Sequence, residues 1–328
     1  MTETGKQARS PAELDSENPF PGLRYFHESE SQFFIGRDGE IDELVRRIKR
    51  APLTVLFGIS GLGKTSLLLA GVFPRLRKDA FFPVRLRLRF YDTTESFAEQ
   101  VVTQVKQEAA AQGIEAGEEL PGESLWEYFH RVDFWDQRNQ RLKPVLVFDQ
   151  FEETFTLGRE HQDDRVQPFS TELADLIENR VPVKDRRRIS KTDDLPYSIS
   201  EQRYRVVLSL REDYLAELES WQRLIPSLGS NRMRLRPMNG EAAMRVVTQV
   251  PGQVSNTVAE QIVRFVANDT RAELAQFAEL EIEPSLLSVV CRELNNRRIK
   301  AGLGSITQDL LHGNRELILE RLYENCLE

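Results

Sequence analysis

The segment Gly58–Thr65, GISGLGKT, combines three glycines with a lysine and a threonine within eight residues. Glycines at this spacing let the backbone curl so that several amide N–H groups point at the same phosphate oxygens. A buried strand is predicted to enter the segment and a helix to leave it, which adds the positive end of a helix dipole. The pattern GxxxxGK[ST] therefore predicts a P-loop, with Lys64 on the β- and γ-phosphates and the Thr65 hydroxyl on Mg²⁺. We expect nucleotide contacts from Gly58, Ser60, Gly61, Leu62, Gly63, Lys64, Thr65 and Ser66.

Carboxylates follow a second apolar run. Val145–Phe148 is predicted to be a buried strand, and Asp149 comes directly after it. A carboxylate at the tip of a strand beside the P-loop can hold Mg²⁺ through water. Residue 150 is a glutamine, so the next acids are Glu152 and Glu153. One of them could polarise an attacking water, or each could be a capping or first-turn acid of the next helix. The sequence does not choose between them.

A cation follows a third predicted strand, Tyr204–Leu210. Arg211 stands at the end of this strand, where it could touch the γ-phosphate and report its presence. The alternative is a surface arginine that pairs with Glu212 or Asp213.

Aromatic and aliphatic residues surround a glycine in Phe33–Asp38, FFIGRD. Such a segment suits an adenine ring lying against the backbone, but it also suits a core cluster with a turn. Composition does not separate these two interpretations.

Strands and helices alternate along the chain as far as residue 237. This order predicts an α/β, three-layer P-loop fold with a mostly parallel five-stranded sheet. Only helical patterns follow Asn239, which predicts an all-helical lid domain. The predicted divisions are a mobile tail at 1–17, a P-loop domain at 18–238, a lid at 239–314, and the start of a further helical or winged-helix module at 315–328.

The charge balance argues against nucleic acid as a partner. The 328 residues include 44 basic and 52 acidic side chains, a formal net charge of -8, whereas proteins that bind nucleic acid are usually basic. A basic cluster at 184–188 is predicted to be a solvated loop. The N-terminus lacks the apolar core of a signal peptide, and no run approaches the roughly 18 apolar residues that span a bilayer. We therefore predict a cytoplasmic protein without a membrane partner.

Five motifs occur in a fixed order: FFIGRDGEIDEL, GISGLGKTS, LVFDQFEETF, LSLREDYL and EPSLLSVVCREL. This order resembles the STAND class of signalling ATPases, which is related to the NACHT and AAA+ proteins. The bacterial branch with NPFPGL at its start and DQFEE as its metal motif is the most similar, and the resemblance covers roughly residues 18–325. The P-loop is shared by many families, so the combination of NPFPGL, GRD, DQFEE and LRED identifies the branch.

The resemblance implies roles for individual residues. Asp149 would bind the metal together with Thr65, and Glu152 or Glu153 would prepare the water. Arg211 would be the first sensor of the γ-phosphate. The adenine pocket would be lined by Ile35, Gly36 and Arg37, with Pro284 packing on the base from the lid. Position 284 also suits a proline in the first turn of a helix, and both roles are compatible.

The resemblance also implies a function. We expect a slow, Mg²⁺-dependent ATPase that binds ATP or ADP between the α/β domain and the lid. Its ATP-bound form is expected to homo-oligomerise in bacterial signalling or anti-phage defence. Effector and sensor modules are expected outside this chain, which suggests a fragment of a longer protein. The alternatives are a remodelling motor with steady turnover and a scaffold that binds nucleotide without hydrolysing it.

Overall fold

A computed structural model describes residues 14–91, 95–160, 163–189, 195–267 and 276–312. The chain divides into two compact units. The P-loop unit is Asp38–Arg236, and the helical unit combines Met1–Arg37 with Pro237–Glu328. The predicted module at 315–328 and most of the predicted tail lie outside the described residues.

The P-loop unit contains, in its described part, one sheet of seven strands. Five of them pair in parallel in the order β2-β5-β6-β1-β7, and the short antiparallel pair β3-β4 extends the sheet at the start of β5. The strands are β1 Leu53–Gly58, β2 Phe81–Leu86, β3 Glu115–Ala116, β4 Phe134–Trp135, β5 Arg141–Phe148, β6 Arg205–Arg211 and β7 Arg232–Arg234.

Helices cover this sheet and complete a three-layer α/β fold, so the predicted fold class is confirmed for this unit. They bury apolar stripes at three- and four-residue spacing, as Ile41, Leu44 and Ile48 of α1 do. The helices are α1 Asp38–Arg50, α2 Lys64–Ser66, α3 Phe73–Lys78, α4 Phe97–Ala111, α5 Leu125–Arg131, α6 Glu153–Glu160, α7 Val166–Ile177, α8 Val183–Ile189 and α9 Leu215–Ser220. A π-helical segment, Leu67–Val72, joins α2 to α3, and 3₁₀ turns lie at Glu212–Tyr214, Trp221–Arg223 and Pro226–Gly229.

The loop predicted at 184–188 is wrong, because these residues lie in α8. The buried carboxylate of Asp185 attaches this helix to α5, since its Oδ2 accepts a hydrogen bond at 2.5 Å from the hydroxyl of Ser124, the residue before α5. On the exposed side, Lys184 pairs with Glu172 at 2.9 Å. The cluster is therefore attached to the core through one buried acid, Asp185, which a prediction based on the basic residues alone does not take into account.

Strand register brings the candidate residues to one edge of the sheet. Gly58, where the P-loop begins, is level with Arg211 in the β1–β6 pair. Phe148 is level with Leu208 in the β5–β6 pair, so Asp149 emerges one residue later at the same edge. Because parallel strands share a direction, their carboxyl ends meet there.

The helical unit contains α10 Gly240–Val247, α11 Asn256–Ala267, α12 Pro284–Lys300 and α13 Gln308–His312. It is not all-helical as predicted, because β8 Met238–Asn239 pairs antiparallel with β9 Glu281–Ile282. Before β9, a 3₁₀ turn at Phe277–Glu279 leads into the strand. Ile282 is fully buried, so this short extended stretch supplies one residue to the core.

The N-terminal segment packs inside the helical unit, whereas the predicted divisions grouped residues 18–37 with the P-loop domain. Phe20 is a member of the helical unit's hydrophobic core. Two buried amides hold the backbone beside it: Asn295 Nδ2 and Gln253 Nε2 donate to the carbonyl oxygen of Glu17 at 2.7 and 2.8 Å. A 3₁₀ turn at Glu28–Phe33 follows. Residues 18–37 directly precede α1 of the P-loop unit in sequence. Their buried apolar and hydrogen-bonded groups nevertheless place them in the helical unit.

We predict that Asn295→Ala destabilises the helical unit by about 1–3 kcal/mol, because it leaves buried hydrogen-bonding groups without their partner. Urea unfolding and hydrogen exchange of α12 measure the effect. Asn296→Ala is the matched control, since Asn296 is the next residue of the same helix and is partly exposed. Equal exchange in the two variants would contradict the proposed anchoring by Asn295.

Candidate nucleotide-binding site

The loop between β1 and α2 has the backbone conformation that its glycines permit. Gly61 and Gly63 both have a φ of 79°, in the left-handed region that favours glycine. Gly58 is required for a different reason, because a Cβ there would lie 2.7 Å from the carbonyl oxygen of Leu235. The Leu62 side chain is buried and anchors the middle of the loop. The loop is therefore held by packing as well as by its glycines.

Lys64 spans the loop that precedes it. Its Nζ donates to the carbonyl oxygens of Gly58 at 2.8 Å and Ile59 at 3.0 Å. Burial lowers the pKa of the Lys64 ammonium, and the charges of Glu152 and Asp149 oppose that shift. Two acids are therefore close enough to act on the charge of this side chain, and its contact with phosphate stays a prediction.

Asp149 is the most connected acid of the site, and its side chain is only 2% exposed. The Thr65 hydroxyl donates to its Oδ2 at 2.9 Å. Ser209 Oγ donates to Oδ1 at 3.3 Å. Arg85 of β2 also contacts Oδ2, from Nε at 3.0 Å and from Nη2 at 2.9 Å.

The contact between Thr65 and Asp149 fits a Mg²⁺ site. A hydroxyl and a carboxylate are the hard oxygen ligands that Mg²⁺ prefers, with water and phosphate completing its shell. Within the described residues, no group of three or more His, Cys, Asp or Glu side chains could hold a metal ion. The site therefore suits a cation that arrives with a nucleotide, because Thr65 and Asp149 alone would be a sparse ligand set.

The backbone turns sharply after Asp149. Gln150 has a φ of 59°, which is the left-handed region and is uncommon for a residue with a side chain. The next amide, that of Phe151, donates to the carbonyl oxygen of Ser209 at 2.8 Å. Gln150 therefore occupies a turn directly after Asp149, and the acids Glu152 and Glu153 follow this turn.

Glu152 and Glu153 occupy different surroundings. Glu152 Oε2 accepts a hydrogen bond from the backbone N–H of Arg211 at 3.2 Å. Burial raises the pKa of the Glu152 carboxyl, while the charge of Lys64 opposes that shift. Glu153 is the first residue of α6 and pairs with Arg87 at 2.5 Å.

The side chain of Arg211 follows the surface alternative of the sequence analysis. Its guanidinium pairs with Asp213 and lies 5.8 Å from the ring centre of Tyr214. The Asp213 hydrogen bond raises the pKa of Arg211. Its positive charge also lowers the pKa of Lys64, so it acts on the P-loop electrostatically.

Ile35, Gly36, Arg37 and Pro284 belong to the helical unit. Gly36 has a φ of 91°, in the left-handed region that favours glycine, and a Cβ there would make a tight 3.1 Å contact with the carbonyl oxygen of Ala242. Arg37 is buried and Ile35 is half-buried. Pro284 is the first residue of α12. Contact of these four residues with adenine stays a prediction.

Sequence reasoning did not identify Arg85, Arg87 or Ser209 as part of this site. The alternation of arginine with apolar residues in β2 showed that one face is polar, but not which acids would face it. Pairing of β2 with β5 decides this, because it sets Arg85 level with Val147, two residues before Asp149. No local pattern encodes that pairing.

The family described as Novel STAND NTPase 1 matches residues 19–304. The chain belongs to this family. It is therefore a P-loop NTPase, and the suspected resemblance is confirmed. No curated protein matches the chain.

Solved structures support the fold of this STAND NTPase. The ADP form of the Aeropyrum pernix ORC2 protein has a TM-score of 0.56 at 11% identity, over 86% of this chain and 69% of that one. The same protein with ADPNP and ADP has a TM-score of 0.54 at 12% identity, over 87% and 67%. In the described part of the STAND NTPase, no helix has the length and apolar character needed to cross a membrane.

We predict that Lys64→Ala weakens Mg·ATP binding by about 100-fold or more, because the variant loses charge-assisted hydrogen bonds to phosphate. Calorimetry or a fluorescent analogue measures the affinity. Lys49→Ala is the control, since Lys49 pairs with Asp79 at the end of α1. Micromolar affinity in folded Lys64→Ala protein would show that the phosphate site is misassigned.

Proposed function

We propose that this STAND NTPase is a slow, Mg²⁺-dependent ATPase switch. The observation that carries the proposal is the hydrogen bond between Thr65 and Asp149 at the foot of the P-loop. It brings a hydroxyl from the phosphate-binding segment and a carboxylate from a neighbouring strand within 2.9 Å of each other. A nucleotide-bound Mg²⁺ needs such a pair, because the two groups can share one cation and its waters.

The proposal assigns the remaining contacts of the nucleotide. The backbone of Gly58–Gly63 and the Lys64 ammonium hold the phosphates. When bound, Mg²⁺ neutralises charge that develops on the phosphate oxygens. Ile35, Gly36, Arg37 and Pro284 would contact adenine, as the resemblance implies.

Glu152 is the acid that we assign to water activation. Its carboxylate shares the electrostatic surroundings of Lys64 and Asp149, and Lys64 acts on its pKa. Glu153 pairs with Arg87 instead, at 2.5 Å. In this assignment Glu153 stabilises the start of α6, which a carboxylate favours through the helix dipole.

Slow hydrolysis is consistent with this geometry. Glu152 Oε2 already accepts the Arg211 N–H, and the Arg211 guanidinium pairs with Asp213. Both groups would have to exchange these partners for water or phosphate before they could act in catalysis. A slow chemical step suits a switch whose nucleotide states must persist.

We predict that Glu152→Gln lowers single-turnover ATP hydrolysis by about 100-fold or more, the usual range for loss of a general base. Nucleotide affinity should stay within about threefold, because no phosphate ligand is lost. Rapid-quench measurement with protein in excess gives the rate.

Glu153→Gln is the matched control for this experiment. Its hydrolysis rate should stay within about threefold of wild type, since in our assignment Glu153 acts on α6 rather than on water. A large loss in Glu153→Gln alone would transfer the role to that residue. Unchanged rates in both variants would contradict a catalytic role for either acid, whereas a wild type that hydrolyses no ATP would favour a non-hydrolysing scaffold.

Nucleotide-controlled homo-oligomerisation is the proposed output, with a role in bacterial signalling or anti-phage defence. We predict that Glu152→Gln protein forms larger particles with Mg·ATP than with Mg·ADP, because blocked hydrolysis preserves the ATP state. Mass photometry measures this difference, and Lys64→Ala is the negative control. Equal masses with both nucleotides would reject the proposed output, and fast steady turnover by the wild type would favour a motor.

A further inference from the structure

Three arginines extend along β2 and its continuation toward the edge of the sheet where the P-loop begins. Each of them pairs with an acid: Arg85 with Asp149, Arg87 with Glu153, and Arg89 with Glu95. Arg89 is 63% exposed and Arg87 is 47% exposed, whereas Arg85 is 20% exposed. Of these three arginines, Arg85 is thus the most buried, and its partner is the proposed metal ligand.

The ion pair of Arg85 with Asp149 falls on one oxygen atom of the carboxylate. Both Nε and Nη2 point at Asp149 Oδ2, at 3.0 and 2.9 Å. The Thr65 hydroxyl donates to the same Oδ2. A carboxylate oxygen has about two lone-pair directions, so three donors already exceed the directions that Oδ2 offers.

A Mg²⁺ held jointly by Thr65 and Asp149 would share Oδ2, because this is the carboxylate oxygen beside the Thr65 hydroxyl. Whether the cation met Oδ2 directly or through a water, the new contact would displace or weaken one of the three donors. The guanidinium also carries a permanent positive charge, because arginine stays protonated. Arg85 therefore opposes the metal twice, by occupying Oδ2 and by repelling the cation.

We propose that Arg85 competes with Mg²⁺ for Asp149 and thereby sets how firmly the site retains the metal with its nucleotide. This inference rests on the proposed Mg²⁺-nucleotide site and adds a regulating residue to it. In this role Arg85 is a positioning residue: it holds the carboxylate beside Thr65 and yields it when the metal enters. The consequence for a switch is faster release of Mg·ADP than Asp149 alone would allow.

The competing role differs from a purely structural one in the direction of its effect. If Arg85 only supported the fold or oriented Asp149, its replacement would weaken the contribution of Mg²⁺. If Arg85 competes, replacement strengthens that contribution, which damage to the site does not do.

The test is the Kd of a fluorescent ADP analogue, measured for each protein in Mg²⁺ and in EDTA. The Kd in EDTA divided by the Kd in Mg²⁺ isolates the contribution of the metal to affinity. We expect Arg85→Gln to raise this ratio by about tenfold, which corresponds to roughly 1.4 kcal/mol. Arg85→Lys should give an intermediate rise, because it keeps the charge but loses the two-pronged contact.

Two controls bracket the result. Arg89→Gln removes an exposed arginine paired with Glu95 and should leave the ratio unchanged. Asp149→Asn should reduce the ratio toward one, which shows that the measurement senses this carboxylate. Circular dichroism establishes that each variant is folded, and Arg85→Lys carries the test if Arg85→Gln does not fold.

The outcomes separate this inference from the proposed function. If the wild type binds the analogue more tightly in Mg²⁺ than in EDTA, but the folded Arg85 variants show an equal or smaller ratio, competition by Arg85 is overturned and the nucleotide site stands. If the wild type binds no analogue in either buffer, the proposed function fails and this inference falls with it.

Discussion

Parallel hydrogen bonding among β5, β6 and β1 aligns the carboxyl ends of three strands at one edge of the sheet. The P-loop leaves β1 there, Asp149 leaves β5, and Arg211 ends β6. Parallel pairing has a fixed direction, so a shift of register by one residue would turn each of these side chains to the opposite face. The hydrogen bond between Thr65 and Asp149 depends on this register. The attraction between the charges of Lys64 and Glu152 depends on it too.

Charge balance is the second condition of the site. The acids of this edge are not equivalent: Asp149 is held by Arg85, Glu153 by Arg87, and Glu152 by a backbone N–H. Buried carboxylates need such partners, because desolvation of an unpaired charge is costly. The partners also separate the acids by role. Asp149 and Glu153 each pair with a guanidinium, whereas Glu152 accepts a backbone N–H and interacts electrostatically with Lys64.

The helical unit shows how one short segment can belong to a core that is distant in sequence. Phe20 enters that core, and the carbonyl oxygen of Glu17 is held by Asn295 and Gln253. Gly22 has a φ of 73° and its N–H donates to Ser288 Oγ at 3.0 Å, which continues the attachment. The NPFPGL motif is thus explained by packing against helices more than 200 residues later, and its prolines and glycine by the turn that this packing requires.

The sequence by itself determined what is local. The P-loop, the strand before Asp149 and the α/β class followed from spacing and periodicity, because glycine conformations and apolar patterns act within a few residues. The family followed from a resemblance that the order of the motifs carries. Tertiary structure decided what depends on pairing between distant segments. It put Arg85 beside Asp149, gave Glu152 and Glu153 different partners, turned Arg211 toward Asp213, and placed residues 14–37 in the helical unit. Apart from the local pair of Arg211, these contacts join residues 59 to 278 positions apart, so strand order and burial control them rather than neighbouring sequence.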